Sequence, residues 1–185
     1  MMAMTIEHTA LPEVLVLRPA VHGDARGFFF ESYNAREFAV ATGSDPRFVQ
    51  DNHSRSQARV LRGLHYQVAP HAQGKLVRVL RGEVFDVAVD LRRSSPRFAQ
   101  WTGVRLDASN HAQMWIPAGF AHGFLVLGDG ADVAYKTTDY YAPQFERSIR
   151  FDDPHIAIEW PEGIEPLLSS RDAAAGGLDA AELFS

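Results

Sequence analysis

The sequence predicts an all-β domain, a sandwich or barrel carrying only a few short helices. Three observations point there: short apolar segments rich in β-branched and aromatic residues, turn residues roughly every 8–15 positions between them, and very few stretches with helical periodicity. In order, strands are expected over 14–17, 28–30, 60–64, 76–80, 84–91, 113–116, 123–127 and 133–136. The run Val84-Phe-Asp-Val-Ala-Val-Asp-Leu91 shows the pattern best, with polar groups punctuating it. Breaks fall at Gly74, Gly82, Ser94, Pro96, Pro117, Gly119, Gly128, Gly130 and Pro143. Helices are expected only at 34–42 and in the tail beyond Asp172. No internal repeat or low-complexity linker interrupts the chain, and only 172–177 is compositionally loose. At 185 residues it reads as one domain over 1–185. A fold of that size buries roughly 70% of its unfolded surface.

Composition narrows the function. Hydrophobic residues at 46% and charged residues at 22% are ordinary for a soluble globular protein and exclude disorder. Every apolar run is interrupted before it could span a bilayer. The first 17 residues have no basic segment leading into an apolar one, so no secretory signal is expected. There is no cysteine, which excludes disulfides, thiolate nucleophiles and Cys-ligated metals and fits a cytoplasmic location. A net charge of −5 argues against non-specific nucleic-acid binding. Of the 18 basic residues 16 are Arg, leaving only Lys75 and Lys136; guanidinium groups suit bidentate contacts to phosphate or carboxylate. A small anionic ligand therefore fits the composition.

The chemistry concentrates in two stretches. The first holds Gln50-Asp-Asn52, Ser54, Leu61-Arg-Gly-Leu-His-Tyr-Gln67, Lys75 and Gly82; the second is Ile116-Pro-Ala-Gly-Phe-Ala-His-Gly-Phe124. Together they trace the double-stranded β-helix of the cupins, whose motifs are His-x-His with a later Glu and Gly, then Pro-x-Gly-x-x-His. Pro117, Gly119 and His122 match the second motif, and His65 begins the first. Gln67 stands where the second His would be, and Lys75 where the Glu would be. A charged lysine offers donors and no lone pair, so this set is ill-suited to a divalent cation. What is left, His65, Lys75 and His122 with several Arg, suits proton abstraction beside a carbonyl. The His takes the proton and the ammonium stabilises the enolate oxygen. Such a His needs its second ring nitrogen fixed, usually by a carboxylate.

Nearly the whole chain resembles the dTDP-4-dehydrorhamnose 3,5-epimerase family. The resembling pieces are Asp24-Ala-Arg-Gly-Phe28 with Glu31, Phe48-Val-Gln-Asp-Asn-His-Ser54, the Leu61 to Gln67 run, and the Ile116 to Phe124 run. They continue through Tyr135-Lys-Thr-Thr-Asp-Tyr-Tyr141, Glu146-Arg-Ser-Ile-Arg150, Ile158-Glu-Trp-Pro161 and Leu168-Ser-Ser-Arg-Asp172. The run Arg-Gly-Leu-His-Tyr-Gln is the specific signal; Pro-x-Gly-x-x-His alone is weak. The resemblance implies a jelly roll, a homodimer, no cofactor, and a dTDP-linked 4-keto-6-deoxy sugar as substrate. It makes His65 the base, Asp172 the carboxylate orienting it, Lys75 the group facing the ketone, and Tyr135 the acid on the opposite face. It assigns Arg26, Arg62 and Arg171 to the nucleotide and diphosphate. Glu31, Gln50, Asn52, His122, Tyr141 and Glu146 match other positions lining the family's site. A single-centre epimerase or sugar-nucleotide ketoisomerase shares these motifs; a metal oxygenase is opposed by Gln67 and Lys75, and a mere binding module by the complete acid–base set.

Plainer roles compete for several residues. Asp172 could cap a helix before its Ala run, and His122 could cap the turn after Pro117. Tyr135 and Tyr141 sit at strand-like positions, where aromatics normally pack, and a bend or bulge between them is expected if both line the site. His53 sits inside a site-like run and could point away. Arg92 and Arg93 are assigned to a solvated face.

Overall fold

Alternating inward and outward side chains fold much of this chain into antiparallel strands, in a computed structural model that describes residues 4–185. In chain order the strands are β1 (Met4–His8), β2 (Leu15–Pro19), β3 (His22–Asp24), β4 (Gly27–Phe29), β5 (Gln50–Gln57), β6 (Leu61–Gln67) and β7 (Lys75–Arg81). They continue with β8 (Glu83–Asp90), β9 (Trp101–Asp107), β10 (Gln113–Ile116), β11 (Phe120–Val126), β12 (Gly130–Thr137) and β13 (Glu146–Ser148). Two α-helices are present among the described residues, α1 (Ala35–Thr42) and α2 (Ser170–Ala173). A six-stranded sheet runs β1-β2-β10-β7-β12-β5 and a five-stranded sheet β13-β6-β11-β8-β9, while β3 and β4 form a separate hairpin. All of these pairings are antiparallel. Two such sheets packed over one core make the expected jelly-roll, cupin-like fold.

Strand β7 shows how sequence directs the layers. Val77 and Val79 turn inward to meet Val84 and Ala88 of β8, Phe124 of β11 and Val133 of β12. Leu76 turns outward into a second cluster with Leu15, Leu17, Trp115 and Phe38. Phe38 belongs to α1, which therefore covers the outer face of the six-stranded sheet. Asn34 caps that helix by accepting from the Arg36 and Glu37 amides, and Gly43 ends it at φ 65°. Phe38 packs edge-on against Phe48 and Trp115, and a side chain buried so fully contributes about 2–3 kcal/mol.

The other sheet is covered by the chain beyond β13. Leu64, Tyr66, Val87 and Val89 face outward from β6 and β8 to meet Ile149, Ile156 and Leu178. This strap carries α2 to β6. The helix expected after Asp172 is corrected here. It occupies only Ser170–Ala173 and is capped by Ser169, whose hydroxyl accepts from the Asp172 amide, so Asp172 is not its cap. Arg92 is corrected as well: its side chain is half-buried over the Phe120 ring and donates to both Asp90 and Glu13.

An irregularity in β6 shapes the site. His65 lies opposite His122 of β11, and Arg62 lies opposite Phe124. Three steps along β6 therefore match two along β11, a bulge that lets both His65 and Arg62 face the same cavity. Gly63 makes the bulge feasible. Its φ is +131°, and a Cβ there would stand 2.5 Å from Gly123 Cα and 2.9 Å from the His122 carbonyl. Gly63→Ala is expected to lower stability by about 2–4 kcal/mol, combining backbone strain with overpacking. Urea unfolding checks this: the midpoint should fall with the slope unchanged.

Candidate active site

Between the sheets, at the end where Lys75 pairs with Thr137 and Thr137 with Gln50, lies a cavity of about 360 Å³. The five-stranded side supplies His65 and Arg62 from β6, His122 from β11 and Glu146 from β13; the six-stranded side supplies Gln50 and Asn52 from β5, Lys75 from β7 and Tyr135 from β12. Tyr141 joins them because β12 ends at Thr137 and the chain turns before it, which provides the bend required for both tyrosines to line one cavity. A larger depression of about 410 Å³ on the outer face of the six-stranded sheet, walled by Asp51, His53, Arg78 and Lys136, shares only Asn52 and Tyr135 with this set. The site is identified by its chemistry, not its size. His53 points into that outer depression, with Nε2 3.5 Å from Asp132.

His65 is held from behind. Its Nε2 is 2.6 Å from Asp172 Oδ1. Burial pushes the Asp172 carboxyl up, but the contacts from His65 and Ser169 outweigh it and hold the group below its ordinary range. An ionised carboxylate only accepts, so Nε2 carries the proton and Nδ1 is left with a lone pair. The carboxylate thus fixes the orientation of an imidazole that lines the cavity. Asp172 is buried, and it reaches His65 only because the C-terminal strap crosses the five-stranded sheet.

Lys75 is the buried cation of the cavity, 8% exposed, with Nζ donating to the His65 carbonyl at 3.1 Å. Burial lowers its pKa to about 8, opposed by the negative charges of Glu146 and Asp86. Tyr135 is shifted upward, first by burial and then by the Glu146 charge, so its hydroxyl keeps its proton at neutral pH. His65 and Tyr135 project from opposite sheets, with the Lys75 ammonium on the same sheet as the tyrosine.

A lip of three side chains borders the opening. Tyr141 donates to Glu146 Oε2 at 2.6 Å, and Arg171 donates to the same oxygen at 2.5 Å. Burial raises Glu146, but these two donors bring it below the usual carboxylate value. Arg171 thus reaches the site through Glu146. Gln50 and Asn52 hydrogen-bond each other at 2.9 Å, and Gln50 accepts from the Tyr141 amide. His122 is no turn cap: it lies within β11, with Nε2 2.7 Å from Asp86 Oδ1.

Two of the assigned residues stand apart. Arg26 is 90% exposed on the β3–β4 hairpin and pairs with Asp24; Glu31 accepts from Asn34 at 3.3 Å. Neither borders this cavity within the chain. Conversely, sequence reasoning misses Asp86 and treats Gln67 only as a lost ligand. Gln67 is buried; its amide donates to the His71 and Tyr140 carbonyls and accepts from the Ala142 amide, which anchors the loop carrying Tyr141. The donor set does not fit a metal of the cupin type. An ammonium occupies the middle, the Gln67 amide is taken up by loop backbone groups, and no group of three ligating side chains occurs among the described residues.

Residues 8–180 match the family model described as dTDP-4-dehydrorhamnose 3,5-epimerase. The chain is 58% identical to the dTDP-4-dehydrorhamnose 3,5-epimerase of Pseudomonas aeruginosa, over 98% of this chain and 99% of that one. It is 57% identical to the Salmonella typhimurium enzyme of the same description, over 97% and 98%. The crystal structure of a dTDP-6-deoxy-D-glucose-3,5-epimerase from Legionella pneumophila, in complex with dTDP-4-keto-L-rhamnose, superposes with a TM-score of 0.94 at 55% identity, covering 97% of this chain and 95% of that one.

Proposed function

The chain belongs to the dTDP-4-dehydrorhamnose 3,5-epimerase family, and from that premise we propose how its residues perform the reaction. The enzyme is an isomerase that converts dTDP-4-dehydro-6-deoxy-D-glucose to dTDP-4-dehydro-L-rhamnose. Both C3 and C5 flank the C4 ketone, so one enolisation chemistry serves both centres. His65 Nδ1 takes the proton from the carbon, the electron pair moves onto the C4 oxygen, and the Lys75 ammonium donates to that oxygen. Tyr135 then gives its hydroxyl proton to the opposite face of the carbon. His65 returns its proton to solvent and Tyr135 regains one, so the enzyme is restored for the second centre. The observation that carries this reading is the carboxylate-oriented His65 on one sheet facing the still-protonated Tyr135 on the other.

Arg62 and Arg171 suit the diphosphate, whose binding energy holds the sugar in register. Gln50, Asn52, His122, Tyr141 and Glu146 are read as sugar and nucleotide contacts. Arg26 and Glu31 sit outside their own cavity, and Phe28 and Phe29 beside them are 63% and 69% exposed. We read these as the hairpin's contribution to a second copy's site in a homodimer. The chain is read as one unit over 1–185, because the C-terminal strap both covers the five-stranded sheet and supplies Asp172. The absence of cysteine suits a cytoplasmic location. The net charge of −5 offers nucleic acid no basic field, and no helix among the described residues is long and apolar enough to cross a membrane.

Proton NMR of the product formed from dTDP-4-dehydro-6-deoxy-D-glucose tests the assignment. Inversion at both C3 and C5 is expected, at the same rate with and without EDTA. Inversion at one centre, a ketose product, or activity lost to EDTA and restored by one divalent metal would overturn it.

A further inference from the structure

Among the described residues only two buried side-chain polar atoms lack a hydrogen-bond partner, Ser54 Oγ and Asp86 Oδ2. Both belong to the polar end of the barrel: Ser54 lines the cavity, and Asp86 holds His122, which lines it too. Asp86 is fully buried on β8 between Val84 and Ala88, both members of the apolar core. A carboxylate there, with one oxygen unpaired, carries a desolvation cost that its single partner does not restore. An asparagine would fill the same space and could still accept from the His122 ring through its oxygen, without the cost of a buried charge. Packing therefore explains the residue's shape and leaves its charge unexplained.

The charge has two neighbours in the site. One is His122, whose Nε2 is tied to Asp86 Oδ1 and which lies opposite His65 across the β11–β6 ladder. The other is Lys75, whose ammonium form Asp86 favours. Two imidazoles therefore stand side by side on one wall, each backed by a buried aspartate, facing one ammonium.

We propose that Asp86 is a positioning residue for the epimerisation: it orients His122 beside His65 and supplies the negative charge that keeps Lys75 an ammonium where the enolate oxygen forms. This inference rests on the assignment of His65 and Lys75 given above. The titratable and charged groups that line the cavity with Lys75 are Glu146 from β13, His65, Tyr66 and Arg62 from β6, His122 from β11, Tyr135 from β12 and Tyr141, with Asp86 of β8 behind His122 and Asp172 and Arg171 of α2 behind His65 and Glu146. Of these, the negative charges acting on Lys75 are Glu146, at the lip and already shared by two donors, and Asp86, fully buried behind His122.

Asp86→Asn tests the charge while keeping the shape. Lys75 works as the ammonium, so kcat declines as pH rises through about 8. Removing a carboxylate that favours the ammonium moves this decline to lower pH. The variant is expected to fold, to hold KM for dTDP-4-dehydro-6-deoxy-D-glucose within about 3-fold, and to lower kcat at pH 7 by roughly 10- to 100-fold, the range known for outer partners of metal-bound imidazoles. His122→Gln separates the two effects: kcat should fall while the alkaline decline stays where it is in the wild type. A purely structural Asp86 would lower the melting temperature and leave the kcat–pH profile of the folded fraction in place, and that result overturns the proposal. Should Asp86→Asn fail to fold, His122→Gln decides alone, and wild-type kcat in it overturns the proposal equally. Wild-type turnover in the same assay tests the site assignment by itself: an enzyme with no epimerase activity sinks that assignment, whereas an active one with an unmoved Asp86→Asn profile sinks only this inference.

Discussion

Replacing His65 by alanine is expected to stop the exchange of substrate hydrogen at C3 and C5 with solvent deuterium. The imidazole lines the cavity, is fixed by a carboxylate behind it, and projects from the sheet opposite the one that carries the ammonium and the tyrosine. A single general base is worth on the order of 10²–10⁴-fold, and the loss is larger where no other group can form the enolate. Binding is expected to survive, because Arg62 and the lip residues do not depend on the ring. The substitution strips Asp172 of its main partner and leaves a buried carboxylate poorly satisfied, so stability should drop by about 1–3 kcal/mol. Circular dichroism and nucleotide binding must therefore accompany the kinetics. Asp172→Asn is the milder companion. The new amide can offer Nε2 a hydrogen, which favours the tautomer whose lone pair faces that amide and whose proton sits at Nδ1, the wrong arrangement for a base. Proton NMR in deuterated water reads both variants. Wash-in of label at the wild-type rate in folded His65→Ala would show that another residue is the base.

Much of the fold is legible because its strands bury one face. The segments at 76–80, 84–91, 113–116 and 133–136 all fall in strands, apart from the last residue of the second, and the helix at 34–42 forms where expected. Strand β5, Gln-Asp-Asn-His-Ser-Arg-Ser-Gln, contains no apolar residue and gives no strand signal. Its inward face lines a polar cavity and its outward face is largely exposed, so the alternation that marks a strand is absent from it. The site is legible where a motif fixes a residue's neighbours, as in Arg62 to Gln67. Asp86 is not, since alternation can turn an aspartate inward without telling which imidazole it will meet on the next strand. Asp172 is assigned by resemblance alone; what brings it to His65, 107 positions away, is the apolar packing of the strap between them. Arg26 and Glu31 mark the converse limit, for the resemblance assigns them to the site while the fold of the chain leaves them outside its cavity.

Tyr135→Phe is expected to separate deprotonation from inversion. The substitution keeps the ring, which packs against the barrel core, and deletes only the hydroxyl. That hydroxyl lines the cavity and anchors no neighbouring strand, so its removal should leave the melting temperature nearly unchanged. His65, Asp172 and Lys75 remain to form the enolate, and His65 can return a proton or deuteron to the face from which it took one. The variant should therefore fold, bind nucleotide and take up deuterium, yet invert its carbons more slowly by about 10²–10⁴-fold, the worth of a positioned acid. Burial holds the Tyr135 proton in place well above neutral pH, so the contrast with the wild type should persist across the neutral range. Following label and configuration together at each centre in deuterated water decides the matter. If exchange and inversion fall by one factor, Tyr135 acts before the two proton transfers part, by positioning the sugar. If inversion continues at full rate, the proton on the far face comes from water or from Tyr141, whose hydroxyl is already committed to Glu146, and Tyr135 is not the acid.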